Sequence, residues 1–333
     1  MAHEVETMAY ANAVPWHGLG ERVDQTVTVE EMQKAAGLDW TLDAYPLTIG
    51  ARTPEGQEMP DFSDHNIGRE VNRVAHVRST DGKVMTVSDP RWKAVQPAEV
   101  LGFMRDYVQA GAATLETAGA LRGGKVVWGL ARLNHDFEVR PGDRVNGYLL
   151  FTTPNEVGKA TTIRTTTVRV VCANTMALAN KKGMGETHYR QGHMGEFDLK
   201  GAKEAVGNAH EQLAEAERNA RKLDKLKLSI HDSITKVLVP VFFPQIAQDE
   251  EALAAMNSPE AQPKKLQEIL SSIENSPGAD VSKGTAWGML NGVTHWADHV
   301  AGRSNEARLQ RAWLGDNSLR KLQVEQKLLE LAS

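Results

Sequence analysis

The stretch ATTIRTTTVRVVCANTMALANKKG, from Ala160 to Gly183, decides how the chain is read. Its first half has the β-branched content of a strand, yet it places Arg164 and Arg169 around five threonines between Thr161 and Thr167. Asn174 then offers an N-cap, and Met176 to Ala179 has the composition of a helix. A strand rich in hydroxyl and guanidinium groups is therefore expected to lead into an apolar helix. The question is what such a strand faces.

Working upstream, three further strands are expected at Ala113 to Leu121, Lys125 to Asn134 and Arg144 to Thr153. They are separated by Gly123-Gly124, by Pro141-Gly142 and by the loop from Pro154 to Gly158, and connections this short favour antiparallel neighbours. Gln96 to Gly111 has proline in its first turn, apolar Val100, Phe103, Met104 and Val108, and a closing glycine, which predicts an amphipathic helix. NRVAHVRS and KVMTVS flank Asp81-Gly82, a two-residue hairpin signal. Thr28 with Glu31 forms a capping box for a helix ending near Gly37, and Trp40 to Ile49 alternates as a strand. The residues before Thr28 read as irregular.

Downstream, Glu196 to Lys227 carries Leu199, Ala202, Val206, Ala209, Leu213, Ala216 and Ala220 at helical steps, a stripe suited to close packing. Val239 to Pro244 is expected to break the helix, and Gln248 to Lys264 reads as an exposed acidic loop. Helices are expected again at Lys264 to Glu274, Thr285 to Arg303 and Ser318 to Leu331. The fold class is α+β: an antiparallel multi-stranded sheet with a β-β-β-α core, packed by amphipathic helices, and a helical C-terminal part. Residues 1–195 form the β-rich core and 196–333 the helical region, packed on the core or on neighbouring subunits.

The 333 residues are 41% apolar and 24% charged, enough for a well-buried core. A single cysteine, Cys172, forms no intrachain disulfide, and neither a secretory leader nor a membrane-length apolar run is visible, so the expected home is the cytoplasm. The net charge of −5 argues against indiscriminate coating of duplex DNA. That charge is segregated, however. Between Arg140 and Arg190 there are eight basic and three acidic residues, a local +5 that leaves −10 for the remainder.

Enzymatic signatures are missing from the sequence. His295 and His299 stand four apart but lack the glutamate of a zincin, so they read as ordinary histidines, as do His188 and His193. Cys172 reads as a small hydrophobe, and neither a nucleophile elbow nor a phosphate-binding loop with its lysine is present. No metal, cofactor or ATP is expected. The basic strand has more to offer, because Trp128, Tyr148 and Phe151 lie on neighbouring strands and aromatic stacking is a common grip on single-stranded nucleic acid. Set against that is a plain solvated face of arginine and threonine over an aromatic core. Regular alternation puts Arg164 and Arg169 on opposite faces unless a bulge near Thr166 resets it.

Four segments resemble the phage- and plasmid-related family built on domain of unknown function 932. They are Pro15-Trp16-His17-Gly18-Leu19-Gly20, Val145 to Phe151, Thr167 to Thr175, and Thr285-Ala286-Trp287-Gly288. The resemblance implies a protein of a prokaryotic mobile element, acting in a bacterial host cell. The expected meander into a helix is also similar, in topology and charge alone, to the centre of phage single-strand annealing proteins. Those carry single-stranded DNA in the basic groove of a ring or helical homo-oligomer, without ATP or metal. The resulting expectation is a non-enzymatic protein that binds and anneals single strands in recombination or replication. Lys159, Arg169, Lys181 and Lys182 would hold phosphates, Arg144, Arg164 and Arg190 would assist, and Tyr148 would stack on a base. The alternative is a protein-binding module for host or phage recombination partners, using the acidic segment 248–264 or the helix of Trp287. A hydrolase with unrecognised carboxylates is a third reading.

Overall fold

A computed structural model describes residues 5–11, 20–50, 68–169, 174–177, 187–207, 209–302 and 316–333. The four strands expected between Ala113 and Cys172 form its centre, as β6 (Ala113–Leu121), β7 (Val126–Glu138), β8 (Arg144–Pro154) and β9 (Ala160–Arg169). Each pairs antiparallel with the next. Their short glycine-bearing turns leave no other arrangement, since a parallel crossover needs a dozen residues or more. Two strands precede them: β1 (Val5–Tyr10) lies antiparallel to β6, and β2 (Glu21–Arg22) is parallel to β1. The N-terminal segment read as irregular therefore extends the sheet.

The other edge also corrects an expectation. Asn174–Ala177 is not the start of a helix but a strand, β10, which turns back along β9 with Asn174 opposite Arg169 and Ala177 opposite Thr166. Next along the same edge, β11 (Thr187–Gly192) pairs with β9 from Arg164 to Ala160. The open hydrogen-bonding edge of β9 thus overrides the helical preference of Met-Ala, as tertiary context commonly does. The helix expected after β9 is replaced at this point by two strands that share its outer edge.

At its centre the large sheet is buried on both faces. Along β8, Leu149 and Phe151 join the main core, while Tyr148 and Leu150 belong to a second apolar cluster with Met8, Trp128 and Leu130 on the opposite face. The main core is closed by α1 (Val29–Ala35), α2 (Pro97–Gln109), α3 (Leu199–Val206) and α4 (Ala209–Lys225). The expected capping box of Thr28 and Glu31 starts α1. The long helix expected from Glu196 is instead two, with Asp198 capping α3 and Gly207 at its end. Leu213 of α4 sits directly on Gly147, where a Cβ would come within 2.6 Å of it.

The small sheet β3 (Leu42–Thr48), β4 (Glu70–Arg78) and β5 (Val84–Ser88) is antiparallel throughout. Its β4–β5 loop is longer than two residues: Arg78 and Lys83 still pair, leaving Ser79 to Gly82 to turn the chain. Trp92 helps to join this sheet to the large one. Its ring stacks on His193 at 4.7 Å and meets His76 edge-on at 4.5 Å.

The C-terminal helices form a second core with Phe137, Val139 and Val145 at the tip of the β7–β8 hairpin. The chain is helical through α5 (Ile230–Asp232), a π turn (Ser233–Leu238) and α6 (Val239–Phe242). The segment Val239 to Pro244, expected to break the helix, does end it, but only after the helix has passed through Pro240. The wider turn before it shifts the pairing, with Val239 N–H bonded to the Ile234 carbonyl, and Phe243 ends the run. The acidic segment is largely exposed and includes α7 (Glu250–Ala255), with Met256 buried. Then come α8 (Lys264–Asn275), α9 (Ala286–His295) running into a π turn (Trp296–Val300), and α10 (Asp316–Leu331). Gly292 of α9 lets the α8 backbone at Ile273 approach closely. Trp287, expected as a contact surface under the protein-binding reading, is buried and donates from Nε1 to Asp143 Oδ2 at 2.9 Å. Among the described residues, no helix is long and apolar enough to cross a membrane.

Candidate nucleic-acid interface

The threonines of β9 are used inside the fold. Thr161, Thr165, Thr166 and Thr167 are buried. Thr152 and Thr162 hydroxyls bond at 2.7 Å, Thr153 and Thr161 at 2.8 Å, and Thr165 donates to Gln212 of α4 at 2.7 Å. These rungs satisfy hydroxyls that would be costly to bury alone. The expected polyanion-facing threonine surface is therefore absent over these residues. The aromatics follow the same logic: Trp128, Tyr148 and Phe151 are all buried. Burial pushes the Tyr148 hydroxyl up to about 12, and the ring has no free face for a base.

Nor does a bulge reset β9. Its register with β8 is unbroken from Thr162 to Arg169. Arg164, directly beside Leu150, is partly buried, and burial draws its guanidinium down to about 10. It lies near enough to Lys321 of α10 to disfavour that ammonium's charge. Lys321 and Asp298 form an ion pair at 2.8 Å with both side chains only 2% exposed, and Glu325 is buried one helical turn beyond Lys321. Arg164 thus belongs to an internal charge cluster and not to a groove.

The remaining expected residues separate. Arg144 opens β8, whereas Lys159 lies in the loop beyond its far end, so the two are roughly 30 Å apart at about 3.4 Å per residue. Arg144 and Arg132 share one carboxylate, Asp136 Oδ2, at 2.5 and 2.7 Å. Arg169 ends β9 opposite Val145 and Asn174, and its side chain lies outside the described residues. Lys181 and Lys182 lie outside them altogether.

Lys159 and Arg190 do share an end of the sheet. Arg190 is exposed on β11 opposite Thr162, three positions along from Lys159. Two more turns bring further cations there. Glu156 accepts from Lys159 Nζ and Arg122 Nη2, each at 2.5 Å, with Lys125 Nζ at 3.8 Å. Lys83, from the β4–β5 loop, donates to the Gly123 carbonyl at 2.9 Å. Four cations from three separate loops therefore gather at one corner, three of them on a single carboxylate. Burial alone would raise the Glu156 carboxyl, but Lys159 and Arg122 outweigh it and hold it below its usual range. Lys125 and Lys159 keep 42% and 47% of their side chains exposed, which leaves their ammonium groups able to take a solvent-borne anion.

Sequence reasoning missed Lys83, Arg122 and Lys125. The only signal was the basic flank of the Gly123-Gly124 turn. Arg122 has φ +53°, a left-handed backbone rarely held by a side chain other than glycine, and Gly123 and Gly124 follow at +66° and +84°. Such strain costs about 1–2 kcal/mol and is retained most often where a side chain has work to do. Arg122→Gly is expected to keep stability within about 1 kcal/mol of the parent, because relief of strain offsets the missing ion pair. Arg122→Ala, which removes the charge but keeps the strain, is expected to be less stable than Arg122→Gly by about 1 kcal/mol. Urea denaturation of both variants checks the order.

The fold and this end define an α+β protein with a cationic rim on a mainly antiparallel sheet. The chain belongs to the family described as Domain of unknown function (DUF932), whose profile matches residues 84–313. No curated protein and no solved structure matches it.

Proposed function

We propose that the protein binds single-stranded DNA, and anneals it, as a non-enzymatic homo-oligomer of a phage or plasmid, gripping the strand at the rim of the large sheet. The observation that supports this reading is the convergence of Arg122, Lys125 and Lys159 on the single carboxylate Glu156, with Lys83 on the adjoining turn and exposed Arg190 on the adjoining strand. Phosphate contacts from lysine and arginine carry most of the affinity of sequence-independent binding, and a chain of net charge −5 needs them concentrated. With Trp128, Tyr148 and Phe151 enclosed, the grip described by these residues is electrostatic and does not rely on base stacking. The protein-docking alternative loses the buried Trp287 helix and keeps only the exposed acidic segment 248–264.

Fluorescence anisotropy of labelled oligo-dT, without metal or ATP, is expected to report binding at low salt, and complementary oligonucleotides are expected to pair faster with the protein than without it. Binding that requires a divalent metal and ends in strand cleavage would replace this reading with a nuclease.

A further inference from the structure

The cations at this end are concentrated on one point, and that concentration bears on which phosphate they suit. We infer that the site formed by Arg122, Lys125, Lys159 and Lys83 takes a phosphate monoester dianion, presented by the terminal phosphate of a DNA strand, in preference to the internal diesters. The inference rests on the strand-binding reading for its choice of DNA as the carrier.

An internal diester carries one negative charge, whereas a terminal monoester carries about 1.5 to 2 at neutral pH and has three oxygens able to accept hydrogen bonds. A groove that tracks a backbone spreads its cations along the strand. Here three of them meet at one carboxylate instead: Arg122 and Lys159 at 2.5 Å from Glu156, and Lys125 at 3.8 Å. Glu156 can neutralise only one of them, so the three retain a surplus of positive charge.

Lys83 and Arg122 are held in place. Lys83 Nζ is fixed by the Gly123 carbonyl and Asn155 Nδ2 bonds the Gly124 carbonyl, so the turn's acceptors are occupied from within. The left-handed run of Arg122, Gly123 and Gly124 bends the β6–β7 turn against both neighbouring loops. The Arg122 and Glu156 side chains, 26% and 22% exposed, form the floor. The Lys125 and Lys159 ammonium groups, closer to solvent, can turn from Glu156 to an incoming phosphate at little desolvation cost. The guanidinium of Arg122 adds a planar fork that matches phosphate oxygens. The neighbouring Arg78 does not contribute, because Glu6 and Asp81 already take both sides of its guanidinium at 2.6–2.9 Å.

The test compares 5′-phosphorylated and 5′-hydroxyl oligo-dT of one length by anisotropy, with inorganic phosphate and thymidine monophosphate as competitors. The wild type is expected to bind the phosphorylated strand several-fold more tightly. Lys125→Gln/Lys159→Gln is expected to erase that preference while retaining part of the affinity for the hydroxyl strand. Equal affinity of the wild type for both strands overturns the inference and leaves the strand-binding reading standing. If neither strand binds, the strand-binding reading fails, and thermal shift with inorganic phosphate decides the site itself. A rise in Tm in the wild type but not in the double variant upholds a dianion site that serves a free phosphate ester, and no rise removes it. Circular dichroism of the double variant, with Arg122→Gly as a second probe of the same seat, separates loss of the site from loss of the fold.

Discussion

Asp298→Ala is expected to destabilise the protein by about 3–5 kcal/mol, because it strands the Lys321 ammonium in the interior. Both side chains of this pair are 2% exposed, and their contact at 2.8 Å ties the π turn after α9 to α10. Burial already lowers the Lys321 pKa and Arg164 of β9 acts in the same direction, while the Asp298 carboxylate opposes both. The cluster therefore joins β9 of the large sheet to the last helix. Lys321→Met alone should cost a similar amount, while Asp298→Ala with Lys321→Met should cost much less than the two singles added together. Guanidinium denaturation of the four proteins measures this. Single variants within about 1 kcal/mol of the parent would show that the pair carries no such role.

Lys125→Glu with Lys159→Glu is expected to weaken single-stranded DNA binding by about 10- to 100-fold at low salt, which corresponds to roughly 1.4–2.8 kcal/mol. Both side chains are more than two-fifths exposed, so the fold should lose no more than about 1–2 kcal/mol. The reversal also sets two new carboxylates beside Glu156, adding repulsion where attraction is needed. A control reversal of Arg144, roughly a strand length away and already paired with Asp136, should matter less. Anisotropy on oligo-dT reads all of these. Unchanged affinity in the double variant would move the interface elsewhere.

Most regular elements could be read from the sequence because their signals are local. The Thr28–Glu31 capping box, Pro97 at the start of α2, and the glycine turns between β6, β7 and β8 each act within a few residues. Asn174–Ala177 misled for the opposite reason: asparagine followed by Met-Ala suits a helix start, and only the open edge of β9, distant in kind from any local signal, made it a strand. The break expected over Val239 to Pro244 falls at Phe243, later than Pro240, because the helix enters this segment through a π turn. The site divides in the same way. Charge counting found Lys159 and Arg190, which the structure places at one end, but it also gathered Arg144 and Arg164, which strand direction and burial take elsewhere. Lys83, Arg122 and Lys125 join through loops that only the completed sheet brings together. Tyr148 looked available for stacking because it lies on a strand beside the basic one, whereas both faces of β8 are buried.

The most direct test of strand binding at this rim is the salt dependence of oligo-dT affinity in the wild type and in Lys125→Glu/Lys159→Glu. A straight log–log plot is expected for the wild type. In the variant the slope should be smaller in magnitude by about 1.4, at about 0.7 for each phosphate that is no longer neutralised. No binding at low salt, or the same slope in both proteins, would contradict binding at this site.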